Sequence, residues 1–250
     1  MAITTRLQGG ILTLTLNRPE KRNALDRATL DALHGALEQA DLDTNVRVVA
    51  IRGEGKDFCA GADLEELLAS AEQLPAINEA SALRLGNLFL KMRSVSKPVV
   101  GVVHGRALAG GAGLATACDL VLAVESAQLG YPEIQRGFVP AMVMALLRRT
   151  VGEKVAFDLA TTGRILSASE AAAIGLVSRV YKEREFAAGV NAVLTSLAGG
   201  SANALALAKK QFYQLDNLSL EEGIRLGAMV NALARAHPDF KQAIQSFLKK

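Results

Sequence analysis

Three short apolar runs constrain this chain more than anything else in it: Val46-Arg-Val-Val-Ala-Ile51, Pro98-Val-Val-Gly-Val-Val103 and Leu120 to Val124. Runs this short with almost no polar residue read as strands buried on both faces, and such strands need helices above and below them. Helical patterns do lie before, between and after them. Asp26 is placed to cap a helix in which Leu30, Leu33, Leu37 and Ala40 recur at helical spacing up to about Asp43. A short helix is expected from Asp63, a second through Leu83 to Leu90, another opened by Gly110-Gly111, and one with Pro140 at its first position continuing past Leu147. Ile11 to Leu16 alternates Thr with Leu behind Gly9-Gly10 and reads as the hairpin partner of the first strand. Strands alternating with helices up to about Val180 predict α/β architecture, with the loops at strand ends free to form a site. From about Glu183 only helical patterns remain. They end in an apolar stripe of Phe240, Ala243, Ile244, Phe247 and Leu248, which fits docking onto its own core or burial against another subunit.

Composition narrows the function by exclusion. The chain has 250 residues, half of them apolar, enough for a substantial core without staples. With 28 Lys and Arg against 25 acids the net charge is +3, too little for a nucleic-acid partner but compatible with a small anion held by local cations. Cys59 and Cys118 stand alone, without CxxC or paired-His spacing, so neither a disulfide framework nor a metal site is expected, and the compartment is expected to be reducing. The start, MAITTRLQGG, has no apolar core of a leader, and no apolar run approaches the ~18 residues of a membrane span. A cytoplasmic protein without membrane partner is the expectation. GxGxxG, P-loop, HExxH and GxSxG signatures are all absent.

Two glycine-rich segments follow buried strands and open helices: Phe58-Cys-Ala-Gly-Ala-Asp63 and Gly105-Arg-Ala-Leu-Ala-Gly-Gly-Ala-Gly113. Small residues admit a ligand to the backbone, and unpaired N–H groups from two such loops can converge on one oxygen that becomes negative during reaction. Glycines also serve as ordinary turns, so the recurrence after two strands is what gives the pair weight. In Leu129-Gly-Tyr-Pro-Glu-Ile134 the carboxylate of Glu133 stands between apolar neighbours, a setting that raises its pKa and suits proton transfer.

The ordered strings Asn17-Arg-Pro-Glu-Lys-Arg-Asn-Ala-Leu25, Gly55-Lys-Asp-Phe-Cys-Ala-Gly-Ala-Asp-Leu64, Ala107-Leu-Ala-Gly-Gly-Ala-Gly-Leu114 with Ala117-Cys-Asp119, Pro132-Glu133 and Gly175-Leu-Val177 resemble the enoyl-CoA hydratase/isomerase (crotonase) family, in order and spacing from about residue 5 to 248. The resemblance implies a superhelix of ββα units over residues 1–195 carrying the acyl-CoA site, and a helical region over 196–250 that builds homotrimers, often paired into hexamers. It also implies acyl-CoA thioester substrates, with coenzyme A part of the substrate and no separate cofactor. Ala62 and Gly110 match the family's two oxyanion-hole donors, through their backbone N–H groups, and Glu133 matches its second catalytic glutamate. Arg22, Ala24, Lys56 and Ala60 match positions around the CoA moiety. Phe247 and Lys250 resemble a C-terminal contact to adenine from a neighbouring subunit.

The chain departs from the family at Gly113, where two-glutamate hydratases carry their first catalytic acid. Relatives acting on branched glutaconyl-type thioesters look similar there and at Glu133-Ile-Gln-Arg-Gly-Phe-Val-Pro140. The leading expectation is a hydratase-type lyase with Glu133 as acid and base, a water filling the ground left at Gly113. An enoyl-CoA isomerase using the same glutamate is the alternative. A non-catalytic acyl-CoA-binding member, a hydrolase or a decarboxylase are the other classes. Tyr131 is a candidate for lining the acyl pocket or for packing, His104 reads as a structural hydrogen bonder, Cys59 as an apolar filler, Asp63 as a helix cap, and Glu65 and Glu66 as solvated helix acids.

Overall fold

The first strand, β1 (Ile3–Gln8), turns through Gly9 and Gly10, both at positive φ (57° and 79°), into β2 (Ile11–Leu16), with Ile3 opposite Leu16. Two consecutive left-handed residues match the twist of a tight hairpin, which is why two glycines stand there. The structure is a computed structural model describing residues 1–249. Asp26 caps α1 (Arg27–Leu42), accepting from the Thr29 N–H at 2.8 Å. β3 (Val48–Gly53) follows, then α2 (Leu64–Ser70), capped by Asp63, and α3 (Pro75–Ser94). Next come β4 (Val99–Val103), β5 (Arg106–Leu108), α4 (Gly110–Ala117), β6 (Leu120–Val124) and β7 (Gln128–Gly130). A short 3₁₀ turn, Pro132–Arg136, leads to α5 (Ala141–Val151), α6 (Glu153–Thr162), β8 (Ile165–Ser167), α7 (Ala168–Ala173) and β9 (Arg179–Tyr181). Four helices close the chain: α8 (Glu183–Gly199), α9 (Ala202–Gln214), α10 (Leu220–Ala236) and α11 (Pro238–Leu248).

One sheet has the order β1-β2-β3-β4-β6-β9, parallel from β2 onward, and a smaller one the order β5-β7-β8. The apolar runs are explained by what covers the large sheet. On one face Val49, Ile51, Val99 and Val103 join Leu30, Leu33 and Leu37 of α1; on the other Val48, Ala50, Val100, Val102 and Leu122 join Val190, Val193 and Leu194 of α8. Along most of these strands an apolar side chain is needed whichever way it points, Arg52 near the end of β3 being the exposed exception.

The structure moves some boundaries. Val46 lies before β3, which starts at Val48, and Pro140 is the cap of α5 rather than its first residue, within the one or two residues by which helix ends are defined. The three-residue strands β5, β7 and β8 have no signature in the sequence because three residues carry no period.

Along α9 to α11 the only buried residue is Lys209. Its ammonium donates to the carbonyls of Met92 (2.7 Å) and Lys97 (3.0 Å) and pairs with Asp119 at 2.7 Å, while the Tyr213 hydroxyl donates to the other Asp119 oxygen at 2.6 Å. Burial pulls the lysine's pKa down and Asp119 opposes it. This cluster fastens α9 to the end of α3 and the start of β4. The stripe on α11 is open to solvent in the single chain, with Phe247 75% and Leu248 78% exposed.

Candidate active site

Two loops are stitched into one seam. Asn23, almost completely buried and left-handed at φ 56°, accepts from the Arg18 N–H (3.0 Å) and donates to the carbonyls of Glu54 (2.9 Å) and Asp57 (2.8 Å). Arg18 in turn reaches the Ala24 carbonyl at 2.8 Å and Asp63 at 2.9 Å. The Leu25 N–H donates to Gly61 and the Asp63 N–H to Leu25, which brackets Ala62 and leaves its N–H without a protein acceptor among the described residues. Ala60 donates to the Arg22 carbonyl at 3.0 Å. Arg22, Ala24 and Ala60 therefore lie along this seam, Arg22 exposed and in the left-handed region at φ 51°. Lys56 is exposed at its rim and also lines an open cleft of about 610 Å³ with His104, Arg106 and Glu183, which includes none of Ala62, Gly110 or Glu133. Phe247 is on the exposed stripe of α11, and Lys250 lies outside the described residues.

The second glycine segment is laid against the first by backbone pairing: Cys59 donates to Arg106 at 3.0 Å and Leu108 to Cys59 at 2.9 Å. Under it, burial pushes the Asp57 carboxyl up, but hydrogen bonds from the Arg106 guanidinium and backbone N–H, with the nearby arginine charge, together outweigh this and hold it below its usual range. The approach is so close that a Cβ on Gly111 would run into the Cys59 carbonyl, so no other residue fits. Ala109 is held at φ 51°, a conformation an L-residue adopts only when its surroundings impose it, and its N–H is spent on the Gly130 carbonyl at 2.8 Å. The Gly110 N–H then opens α4 with no carbonyl before it to accept. A Cβ position on Gly110 is 3.6 Å from the Ala62 nitrogen, so the two unpaired donors are neighbours, with Leu85 Cδ2 of α3 beside them at 3.5 Å.

Glu133 sits in the 3₁₀ turn that Gly137, at φ 68°, terminates. It is only 8% exposed, and its Oε2 makes no hydrogen bond among the described residues. Burial raises its pKa, offset in part by its own N–H and by Arg136. A carboxyl that is buried, unpaired and readily protonated is disfavoured on stability grounds, and that pattern concentrates where protons are moved. Its segment is tied to α4 through the Gly130 carbonyl and through Tyr131, whose hydroxyl meets Thr116 at 2.7 Å. Tyr131 is fully buried, which places it in packing instead of on an open pocket wall.

At Gly113 a Cβ would stand 2.5 Å from Val143 Cγ2 of α5 and 2.9 Å from Phe89 Cζ of α3, so hydrocarbon from two neighbouring helices closes on α4 there and any side chain at this position requires one of them to move. Glu65 is paired with Lys21 and Glu66 accepts from the Arg27 N–H, both exposed, and neither supplies the missing acid. His104 bonds the Gly55 carbonyl at 2.9 Å and Asp63 caps α2. Arg18, Asn23, Leu85, Phe89, Thr116 and Val143 all shape the site and none was singled out from the sequence. Only Arg18 and Asn23 fall inside a quoted motif. Among the described residues no group of three or more His, Cys, Asp or Glu could hold a metal ion, and no single helix is long and apolar enough to cross a membrane.

A parallel sheet wrapped by helices, with two free backbone donors at adjoining loops and one buried carboxyl on a segment tied to the helix of the second donor, is the architecture of the crotonase fold. Residues 6–250 match the enoyl-CoA hydratase/isomerase family, and the chain belongs to it. It is 41% identical over 243 residues to a putative enoyl-CoA hydratase of Thermus thermophilus, covering 97% of this chain and 96% of the relative. It is 34% identical over 244 residues to the 2,3-dehydroadipyl-CoA hydratase of Escherichia coli, covering 97% and 94%. Among solved structures, the enoyl-CoA hydratase of Mycobacterium smegmatis superposes with a TM-score of 0.95 at 31% identity, covering 100% of this chain and 96% of that one.

Proposed function

We propose that the chain adds water to 2-enoyl-CoA thioesters through an enolate, with Glu133 as its single acid and base. The observation that carries this is the buried, unpaired Glu133 carboxyl in a segment tied to the helix that presents the Gly110 N–H. In this reading Ala62 and Gly110 donate to the thioester oxygen. Glu133 takes a proton from water as it attacks C3, the double-bond electrons move onto the oxygen, and the same carboxyl returns the proton to C2. An oxyanion donor is worth on the order of 10²–10³ in rate and a positioned base roughly 10²–10⁴. The relatives named as hydratases support water addition. Arg22, Ala24, Lys56 and Ala60 would hold the CoA moiety, and no separate cofactor is required.

One observation favours a second reading. With Val143 and Phe89 packed against Gly113, which carries no acid, proton shuttling between C4 and C2 by one carboxyl, which is isomerisation, needs nothing the site lacks. Incubating the enzyme with 2-enoyl, 3-enoyl and 3-hydroxyacyl thioesters of several chain lengths and branchings, with mass spectrometry of the products, separates the two. A large excess of isomerised product with negligible water addition across all chains rejects hydration. Glu133→Gln should lower turnover at least ~10²-fold with thioester affinity nearly intact, and wild-type activity would remove Glu133 from the mechanism. Gly110→Pro deletes one donor and should abolish turnover.

We further propose a cytoplasmic homo-oligomer, a trimer or a pair of trimers. The solvent-facing apolar residues Phe240, Ile244, Phe247 and Leu248 are surface that a second copy would cover.

A further inference from the structure

Tyr131 and Thr116 form a buried hydroxyl pair that the chemistry above does not use. Thr116 Oγ1 is 2.7 Å from the Ala112 carbonyl and 2.7 Å from the Tyr131 hydroxyl. A carbonyl can only accept, so the one threonine proton goes to Ala112. The tyrosine must therefore be the donor to Thr116, and the direction of the chain is fixed by counting protons. Both residues are buried, Tyr131 completely and Thr116 at 6% exposed.

The location of this bond matters. Thr116 is six residues along α4 from Gly110, and Gly110, Gly113 and Thr116 recur at three-residue spacing on one side of the helix. Tyr131 is two residues before Glu133 and caps the 3₁₀ turn that carries it. Among the described residues no side chain makes a hydrogen bond to the Glu133 carboxyl, and its Oε2 has no partner at all. Its position is inherited from its backbone. That backbone is referred to α4 at two points, the Ala109 N–H to the Gly130 carbonyl and the Tyr131 hydroxyl to Thr116. The proton carrier and the Gly110 donor are thus gauged from the same short helix.

We propose that Tyr131 and Thr116 are positioning residues for Glu133, their buried hydrogen bond fixing the separation of its carboxyl from the oxyanion donor at Gly110. The proposal rests on the reading of Glu133 as the proton carrier. Misplacement of a reacting group by about 1 Å costs up to ~10²-fold in rate, so loss of one of two tethers is expected to cost roughly 10-fold.

The test uses the full-length enzyme and whichever thioester is turned over fastest in the panel above. Tyr131→Phe and Thr116→Val each remove the bond while keeping the shape, and Thr116→Ser keeps both bonds. Tyr131→Phe and Thr116→Val should lower kcat about 10-fold with KM unchanged and move the pH profile of kcat, and Thr116→Ser should restore both. In a Glu133→Gln background, adding Tyr131→Phe should change the residual rate by less than 2-fold, because the group being positioned is gone. The proposal is overturned if Tyr131→Phe keeps the wild-type kcat and pH profile, if it raises KM alone as a pocket-lining residue would, or if its 10-fold loss persists on top of Glu133→Gln. Failure of the underlying reading is separately visible, since Glu133→Gln by itself would then be active. Circular dichroism at the assay temperature confirms that each variant compared is folded.

Discussion

Gly113 offers a prediction whose sign depends on a second residue. Replacing it by alanine in the middle of α4 should gain about 1 kcal/mol of helix propensity. The added methyl lands 2.5 Å from Val143 Cγ2 and 2.9 Å from Phe89 Cζ, both inside van der Waals contact and both on fully packed side chains. Overpacking of this kind costs about 1–3 kcal/mol, so Gly113→Ala is expected to lose up to about 2 kcal/mol net. Val143→Ala removes two buried methyl groups at ~0.8 kcal/mol each and leaves a cavity, a loss of about 2–3 kcal/mol. In the double variant the methyl at 113 moves into the space vacated at 143 and Phe89 gains room to turn. Its loss should be about 1–2 kcal/mol, smaller than for Val143→Ala alone, with a coupling near 2 kcal/mol. Urea unfolding of the four proteins at one fixed concentration measures this cycle. Additivity within about 0.5 kcal/mol would refute the account of Gly113 as a steric necessity. It would also reopen the site to a glutamate at that position, which otherwise requires Val143 to be trimmed first.

The raised pKa of Glu133 makes its stability contribution run opposite to an ordinary ion-paired carboxyl. Between its unfolded and its raised folded value the native state holds the extra proton, so stability falls as pH rises through that window, and Glu133→Gln should be more stable than wild type at neutral pH though much slower in turnover, as thermal unfolding at pH 4.5 and 7.5 will read. Lys209→Met strips Asp119 of its ammonium while leaving the Val99 and Tyr213 bonds, and should cost about 3–5 kcal/mol; Lys209→Met with Asp119→Asn should cost less, and equal losses by denaturant titration would contradict a paired charge. Deleting residues from Phe240 onward should convert a trimer or hexamer to smaller species in sedimentation velocity, and an intact wild-type monomer at micromolar concentration would remove the stripe's proposed role.

What the sequence disclosed was whatever is encoded locally. Asp26 and Asp63 are caps because a short acceptor before a helix bonds the free N–H groups of its first turn, two or three residues on. The buried strands were legible because both faces are covered. The contacts that decide the site are not local. Phe89, Gly113 and Val143 meet from three helices, and nothing at Gly113 itself announces that its neighbours have already taken its space. Lys209 is in the same position: in Ala-Leu-Ala-Lys-Lys it looks like any solvated helix cation, and only the carbonyl ends of Met92 and Lys97 and the Asp119 carboxylate give it a reason to be buried. The glycine loops were legible as loops, while the donors' adjacency depends on backbone pairing between Cys59 and Arg106–Leu108.

Cys59 lies inside that seam, fully buried, its thiol donating to the Asn23 carbonyl at 3.1 Å and pushed up to about 12 by burial. Cys118 caps the C-terminal end of α4, with its Sγ against Gly101. Neither thiol can meet a labelling reagent until its surroundings part, so the rate of modification of each is a clock for a different local opening. The two clocks need no engineered probe. A CoA thioester bound across the seam should slow the one at Cys59 and leave the one at Cys118 nearly unchanged, which would time the breathing of the two loops separately from that of the core behind them.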